Sequence, residues 1–166
     1  MFLLNSILIG TYLVEENGPL KIEGFSPKCL EHTFYYFRLG AEVTLNDKRM
    51  TLSNNLSEKH LVLMPGDFAF IETLELFTTS AKILGILGQC SEITKMGLQL
   101  LHSPFIDPRF NGKLQFGIKN LGNKEQCLEF GTTVIGKVSF FDISDTYPIR
   151  IDPFSSFHAR YLSDKK

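Results

Sequence analysis

Residues 106–120 read Ile106-Asp107-Pro108-Arg109-Phe110-Asn111-Gly112-Lys113-Leu114-Gln115-Phe116-Gly117-Ile118-Lys119-Asn120, a turn followed by an alternating run. Asp107 and Pro108 have the chemistry to open a turn. Asn111-Gly112 can reverse the chain, because Asn and Gly tolerate the left-handed backbone that tight reversals need. After Gly112, the apolar Leu114, Phe116 and Ile118 alternate with Lys113, Gln115, Gly117 and Lys119. A period of two sends successive side chains to opposite faces, so the run predicts a strand with one face buried.

Working outward, the same pattern recurs. Towards the N-terminus, extended runs are expected at Leu20 to Glu23, His32 to Leu39, Glu42 to Leu45, His60 to Met64, Phe68 to Leu76 and Lys82 to Leu87. Beyond the central run, Gln126 to Phe130 and Val134 to Ile143 read likewise. Gly, Pro and Asn divide them, as at Pro65-Gly66-Asp67 and Asn46-Asp47. Leu8, Ile9, Tyr12 and Leu13 share a helical face, so Ser6 to Val14 predicts a short helix capped by Asn5 or Ser6 and stopped by Asn17-Gly18-Pro19. Glu92 to Leu101 is expected to be briefly helical, and Leu52 to Lys59 reads as a polar loop without a packing role. Many short strands with one or two short helices predict an all-β fold, a sandwich or distorted barrel.

At 166 residues, 43% of them hydrophobic with fifteen Phe, one core-forming domain is expected, spanning residues 1–146. The segment from Tyr147 on carries Pro148 and Pro153 and ends in Asp164-Lys165-Lys166, which reads as a mobile tail over 147–166. A formal net charge of −1 gives no attraction to nucleic acid or an anionic membrane, so neither is expected as a partner. Cys29, Cys90 and Cys127 are odd in number and widely spaced. They are expected to be idle or buried thiols in a reducing cytoplasm, not disulfides or metal ligands. Met1 to Tyr12 is apolar but broken by Asn5, Ser6 and Gly10, so neither a signal peptide nor a membrane span is expected.

Several motifs in order carry a resemblance. The Ile-Asp-Pro turn with Phe110, Gly112 and a strand ending in Asn120 resembles the central motif of the dCTP deaminases, relatives of the trimeric dUTPases. Phe37-Arg38-Leu39-Gly40 is similar to the family's Leu-Arg-Leu-Gly, with Tyr36 where the family has Asp. Pro65-Gly66-Asp67-Phe68, Thr73-Leu74-Glu75 and Ile135-Gly136-Lys137-Val138-Ser139-Phe140 also resemble its motifs. Cys90-Ser91-Glu92-Ile93-Thr94-Lys95-Met96-Gly97-Leu98 falls where the family has Arg-Ser-Ser-x-x-Arg-x-Gly-Leu. The resemblance implies the dUTPase-like all-β fold, a homotrimer with pockets between subunits, and a pyrimidine nucleotide of the dCTP or dUTP class as ligand.

It also implies where the chemistry would sit. Metal-free attack of water on C4 of cytosine needs a carboxylate that takes the water's proton and relays it. In the family that is a Glu on the strand after the turn; here the position is Gly117, which has nothing to titrate. Gln115 lies on the same face, and its amide does not titrate either. Glu92 falls in the facing segment and is a candidate displaced carboxylate, although a Glu there also favours a helix start. Ser91 and Lys95 match phosphate-contacting positions, Lys95 without the bidentate fork of Arg. Asp107 is a candidate to orient an attacking water, as the corresponding Asp does in dUTPases; an Asp before Pro also builds turns. Phe110 is expected against sugar, neighbour or core, and Tyr161 falls in a lid-like segment, Arg160 to Asp164.

No cofactor is expected for deamination, and Mg2+ is expected only with a nucleoside triphosphate. The four His are far apart in sequence and lack metal-ligand spacing. Three functions stay open: deamination by a rearranged site, a non-catalytic scaffold or regulatory relative, and pyrophosphate release with Asp107.

Overall fold

The computed structural model describes residues 1–145. In chain order its elements are β1 (Phe2–Leu3), α1 (Ser6–Val14), β2 (Leu20–Glu23), a 3-10 turn (Pro27–Cys29), β3 (Leu30–Glu31), β4 (Phe34–Leu45), β5 (Lys48–Thr51), β6 (His60–Leu63) and β7 (Phe68–Thr79). Then follow β8 (Ile83–Gln89), α2 (Ser91–Lys95), β9 (Leu98–Leu101), β10 (Phe105–Ile106), β11 (Asn111–Asn120), β12 (Gln126–Glu129) and β13 (Val134–Asp142). The all-β expectation holds, with two short helices. The anticipated tail lies outside the described residues.

Eleven strands form one antiparallel sheet curled into a half-barrel, with the central order β10-β8-β13-β4-β7-β11-β9. β6 and β12 make a separate pair. β4 is the strand that joins the two halves. Its first part pairs with β13, where Val138 faces Tyr35, and its second part pairs with β7, where Val43 faces Ile71. Between them the ladder slips from Leu39 to Val43. Gly40 sits in that slip because nothing larger fits: a Cβ there would stand 2.5 Å from the carbonyl oxygen of Thr73. The sequence suggests two strands broken at Gly40; the molecule makes one strand bent there.

At the bend the Arg38 amide is served by the Glu75 side chain. That side chain is fully buried and accepts from the Arg38 amide (2.9 Å), the Arg38 Nε (2.8 Å) and the Tyr35 hydroxyl (3.2 Å). Arg38 also donates through Nη2 to the Gly24 carbonyl at 2.6 Å. Burial first, and then the Glu75 carboxylate, push the Tyr35 phenol above its ordinary range, so it stays a donor.

The core forms from the period-two faces. Phe37, Phe77, Phe116 and Phe140 are nearly or fully buried, and Phe37 stacks on Phe116 with centroids 5.2 Å apart. Each such side chain contributes roughly 1.5–3 kcal/mol through the area it removes from water. α1 starts where expected, the Asn5 side chain accepting from the Leu8 amide at 3.0 Å, and it buries Ile9. Cys29 and Cys90 are buried, Cys127 is exposed, and all three are free thiols.

Three expectations need correction. The helix anticipated over Glu92 to Leu101 stops at Lys95, because Gly97 adopts φ 74° and sends the chain into β9. Leu52 opens the polar loop yet is 1% exposed, so the loop has one packing anchor. β7 continues to Thr79 because β2 pairs along its end, Leu20 opposite Thr79.

Glu75→Ala removes the buried carboxylate that pairs with the half-buried Arg38 guanidinium and accepts from the Arg38 amide. It is expected to cost about 3 kcal/mol or more, read as a lower denaturant midpoint. An unchanged midpoint would show that the pair does not hold the junction.

Candidate functional site

The turn between β10 and β11 is made by Asp107 to Phe110. The Phe110 amide donates to the Asp107 carbonyl at 3.2 Å, and Arg109 takes φ 67° in the left-handed region. The expected reversal at Asn111-Gly112 is displaced: both already belong to β11. The reason is Thr79 at the end of β7. Its Oγ1 donates to the Asp107 carbonyl (2.9 Å) and accepts from the Phe110 amide (3.0 Å), which closes the turn one step earlier. Asp107 is exposed, and among the described residues its carboxylate makes no hydrogen bond.

The turn brings two of the anticipated residues together. Phe110 and Gln115 line a pocket of about 230 Å3 with Leu87, His102, Phe105 and Lys113. Phe110 also packs half-buried against the core, which is the core contact anticipated for it. His102 lies within 2.7 Å of the Ser103 carbonyl through Nδ1 and meets the Phe116 ring edge-on, centroids 5.5 Å apart. Lys113 is held by Glu72 at 2.5 Å. Gln115 borders a second pocket, about 260 Å3, with Glu42 and Thr44 of β4, Arg49 of β5, and Phe70 and Glu72 of β7. Both pockets open on groups that suit a polar, planar ligand: aromatic faces, an amide and cationic side chains. Arg49, Lys113 and His102 were not singled out from sequence, although the alternation does place Lys113 on the face of Gln115.

Gly117 stands two residues along from Gln115 on that same outward face, opposite Phe70 on β7 and Leu101 on β9. It is nevertheless buried. A Cβ built on it would lie 2.8 Å from Cε2 and 2.9 Å from Cζ of Phe68.

Ser91, Glu92 and Lys95 lie apart, on α2, and none of them borders either pocket. The Ser91 hydroxyl donates to Glu92 at 3.1 Å. The Glu92 backbone amide first, then Ser91, hold the Glu92 carboxyl below the usual range. A base near neutral pH wants its pKa raised, so this environment suits a helix-start role better than proton abstraction. Cys90 caps the helix backbone; burial pushes its thiol up, and Sγ lies 3.4 Å from the Val134 carbonyl. Gln89 ties α2 to β9, donating to Thr94 Oγ1 (2.7 Å) and the Leu98 carbonyl (3.0 Å) and accepting from the Leu100 amide (2.8 Å). Tyr161 lies outside the described residues. Among the described residues no group of three or more His, Cys, Asp or Glu side chains is placed to hold a metal ion, and no helix is long and apolar enough to cross a membrane.

Comparison with known proteins places this geometry. A family profile described as dCTP deaminase-like matches residues 18–143. A dCTP deaminase, dUMP-forming, of Corynebacterium glutamicum (strain R) is 39% identical over 143 residues, covering 76% of this chain and 75% of the relative. The protein of the same description from Corynebacterium efficiens is 30% identical over 145 residues, covering 78% and 74%. Among solved structures, the 2'-deoxycytidine 5'-triphosphate deaminase of Agrobacterium tumefaciens superposes with a TM-score of 0.68 at 13% identity over 83% of this chain. The chain spans just under half, 47%, of that protein's length. The dUTPase of Staphylococcus bacteriophage 80alpha gives 0.51 at 15% identity, covering 82% of this chain and 98% of its own. At such identities the structural likeness speaks for the fold.

Thr79→Val keeps the shape of a side chain that is 4% exposed but deletes both turn contacts. It is expected to cost about 1–3 kcal/mol and to speed amide exchange at Phe110. Unchanged protection at Phe110 would show that the turn holds itself.

Proposed function

The chain belongs to the dCTP deaminase-like family, and from that premise we propose that it is a pyrimidine-nucleotide-binding protein in which Gly117 stands where the family's catalytic carboxylate would be. The observation that carries the reading is the strand itself: β11 keeps Gln115 at the rim of a pocket with Phe110, while Gly117 offers no acid or base. Binding a planar base needs an aromatic face and a few fixed polar groups, which Phe110, His102 and Gln115 supply. Abstracting a proton from water needs a titratable group at the reacting carbon, which this strand does not supply.

The phosphates require cations. Lys95 and the Ser91 hydroxyl are the candidates by family position, and they sit on α2, away from the pocket of Phe110 and Gln115. One copy therefore offers a base site and a phosphate site in different places. The reading follows that copies assemble, a homotrimer by analogy, so that α2 of one protomer meets the turn of another. Tyr161 is proposed as part of a segment closing over the nucleotide. Mg2+ would arrive with the triphosphate as its counter-ion, and deamination itself would need no cofactor.

A second reading is favoured by the relatives described as dUMP-forming. Going from dCTP to dUMP releases pyrophosphate as well as ammonia. Asp107 is exposed in the turn that ends at Phe110, its carboxylate unpaired among the described residues, and on this reading it orients a water for phosphoanhydride cleavage without position 117. A scaffold or regulatory role remains the outcome if neither nucleotide binds.

Calorimetry with dCTP and dUTP, with and without Mg2+, decides among these. Micromolar binding without ammonia release is expected, with Gln115→Ala or Phe110→Ala weakening it about tenfold, equivalent to about 1.4 kcal/mol. Pyrophosphate released from dUTP, and lost in Asp107→Asn, establishes the second reading. Rapid ammonia release from dCTP by the unaltered chain overturns the first.

A further inference from the structure

Three strands present one cross-sheet row on the outer face: Phe70 of β7, Gly117 of β11 and Leu101 of β9 stand opposite one another. Phe68 belongs to the next row, opposite Lys119. Diagonal neighbours in an antiparallel ladder come within reach of an aromatic ring, and Phe68 uses that reach. Its ring leans across the row until Cε2 and Cζ lie 2.8 and 2.9 Å from the place of a Cβ on residue 117, with the Leu101 Cβ closing the other side at 3.4 Å. Phe70 meets the Phe68 ring nearly at right angles, centroids 4.9 Å apart and planes at 84°, which is a preferred aromatic geometry. Phe70 remains 61% exposed, so the outer ring braces the inner one.

Gly117 is thus buried on a face whose neighbours Lys113 and Gln115 are exposed. The volume its missing side chain leaves is already filled, by a ring from another strand. A void at that position would have been open to water, and water needs two to four polar partners to settle. The Phe68 edge and the Leu101 stem offer none.

We propose that Phe68 is the residue that determines what strand β11 can carry at position 117: the ring and a side chain there are alternative occupants of one space. The consequence is functional and rests on the reading of the pocket given above. Loss of the carboxylate is not a simple gap that one substitution refills. With Phe68 in this position, a carboxylate at 117 and the water such a group would activate must displace the ring, and the patch at 117, between Phe68, Phe70 and Leu101, is apolar. A ligand that sits here meets an aromatic edge in place of a proton acceptor. Phe68 thereby biases the site towards binding and away from hydrolytic attack at the base.

The experiment is a cycle of four proteins: the unaltered chain, Phe68→Ala, Gly117→Glu and the double variant. Thermal midpoints are measured on each, and ammonia release from dCTP and calorimetric dCTP binding on the same samples. Gly117→Glu alone is expected to lower the midpoint by roughly 4–10 °C, as overpacking does in a domain of this size. In the double variant at least half of that loss should return, because the ring no longer competes. If Gly117→Glu fails to fold, Gly117→Ala run through the same cycle asks the question with a single Cβ. A Gly117 variant that melts with the unaltered chain, or losses that simply add, would overturn the proposal. The pocket reading is decided separately. Non-additive midpoints with no nucleotide bound by any of the four keep the packing inference and remove the nucleotide reading, whereas additive midpoints with dCTP bound do the reverse.

Discussion

Everything in this molecule hangs on the place where β4 leaves one half-sheet for the other, and that place is held by one buried carboxylate. At the bend the ladder slips, and Gly40 lets the strand come close to the β7 backbone. The Arg38 amide there finds Glu75 in place of a strand partner. A lone carboxylate in such a setting would be strongly unfavourable, but here it is met by a guanidinium, an amide and a phenol. Thr73, two residues earlier, serves the other side of the same strand: its hydroxyl donates to the Glu75 carbonyl at 2.7 Å and accepts the Leu114 amide at 3.0 Å, where β11 has its own bulge. β4, β7 and β11 are therefore fixed in register by side chains of two neighbouring residues on β7.

That register sets the site. Because β7 and β11 are locked at the bulge, Gln115 faces Glu72 and Gly117 faces Phe70. A slip of one residue would turn Gln115 into the core and bring Phe116 out. The end of β7 then closes the 107–110 turn through Thr79, so the strand that fixes the junction also fixes Phe110. The pocket is a consequence of the junction, transmitted along one strand.

α2 follows a different logic. It is five residues long, tied to β9 by Gln89, and its acidic residue serves its own first turn. Its Ser91 and Lys95 are linked to phosphate only by their place in the family pattern, and neither borders the pocket of Phe110 and Gln115.

Much of this was legible in residues alone. The alternation of Leu114, Phe116 and Ile118 named a buried face, and the spacing of Leu8, Ile9, Tyr12 and Leu13 with Asn5 named α1, because both are local periodicities that the backbone converts directly into faces. The order of short motifs identified the family and the fold. Hidden were features that depend on what another strand brings. Gly97 ended a helix that the run from Glu92 to Leu101 otherwise suggests, Leu52 found a core slot inside a polar loop, and Thr79 moved a turn that Asn111-Gly112 could have made. The amino-acid order by itself determined the strand faces, the first helix and the absence of an acid at 117. Only the tertiary structure decided that the absence is filled, since Phe68 and Gly117 are far apart in sequence and a ring's reach across a ladder depends on register.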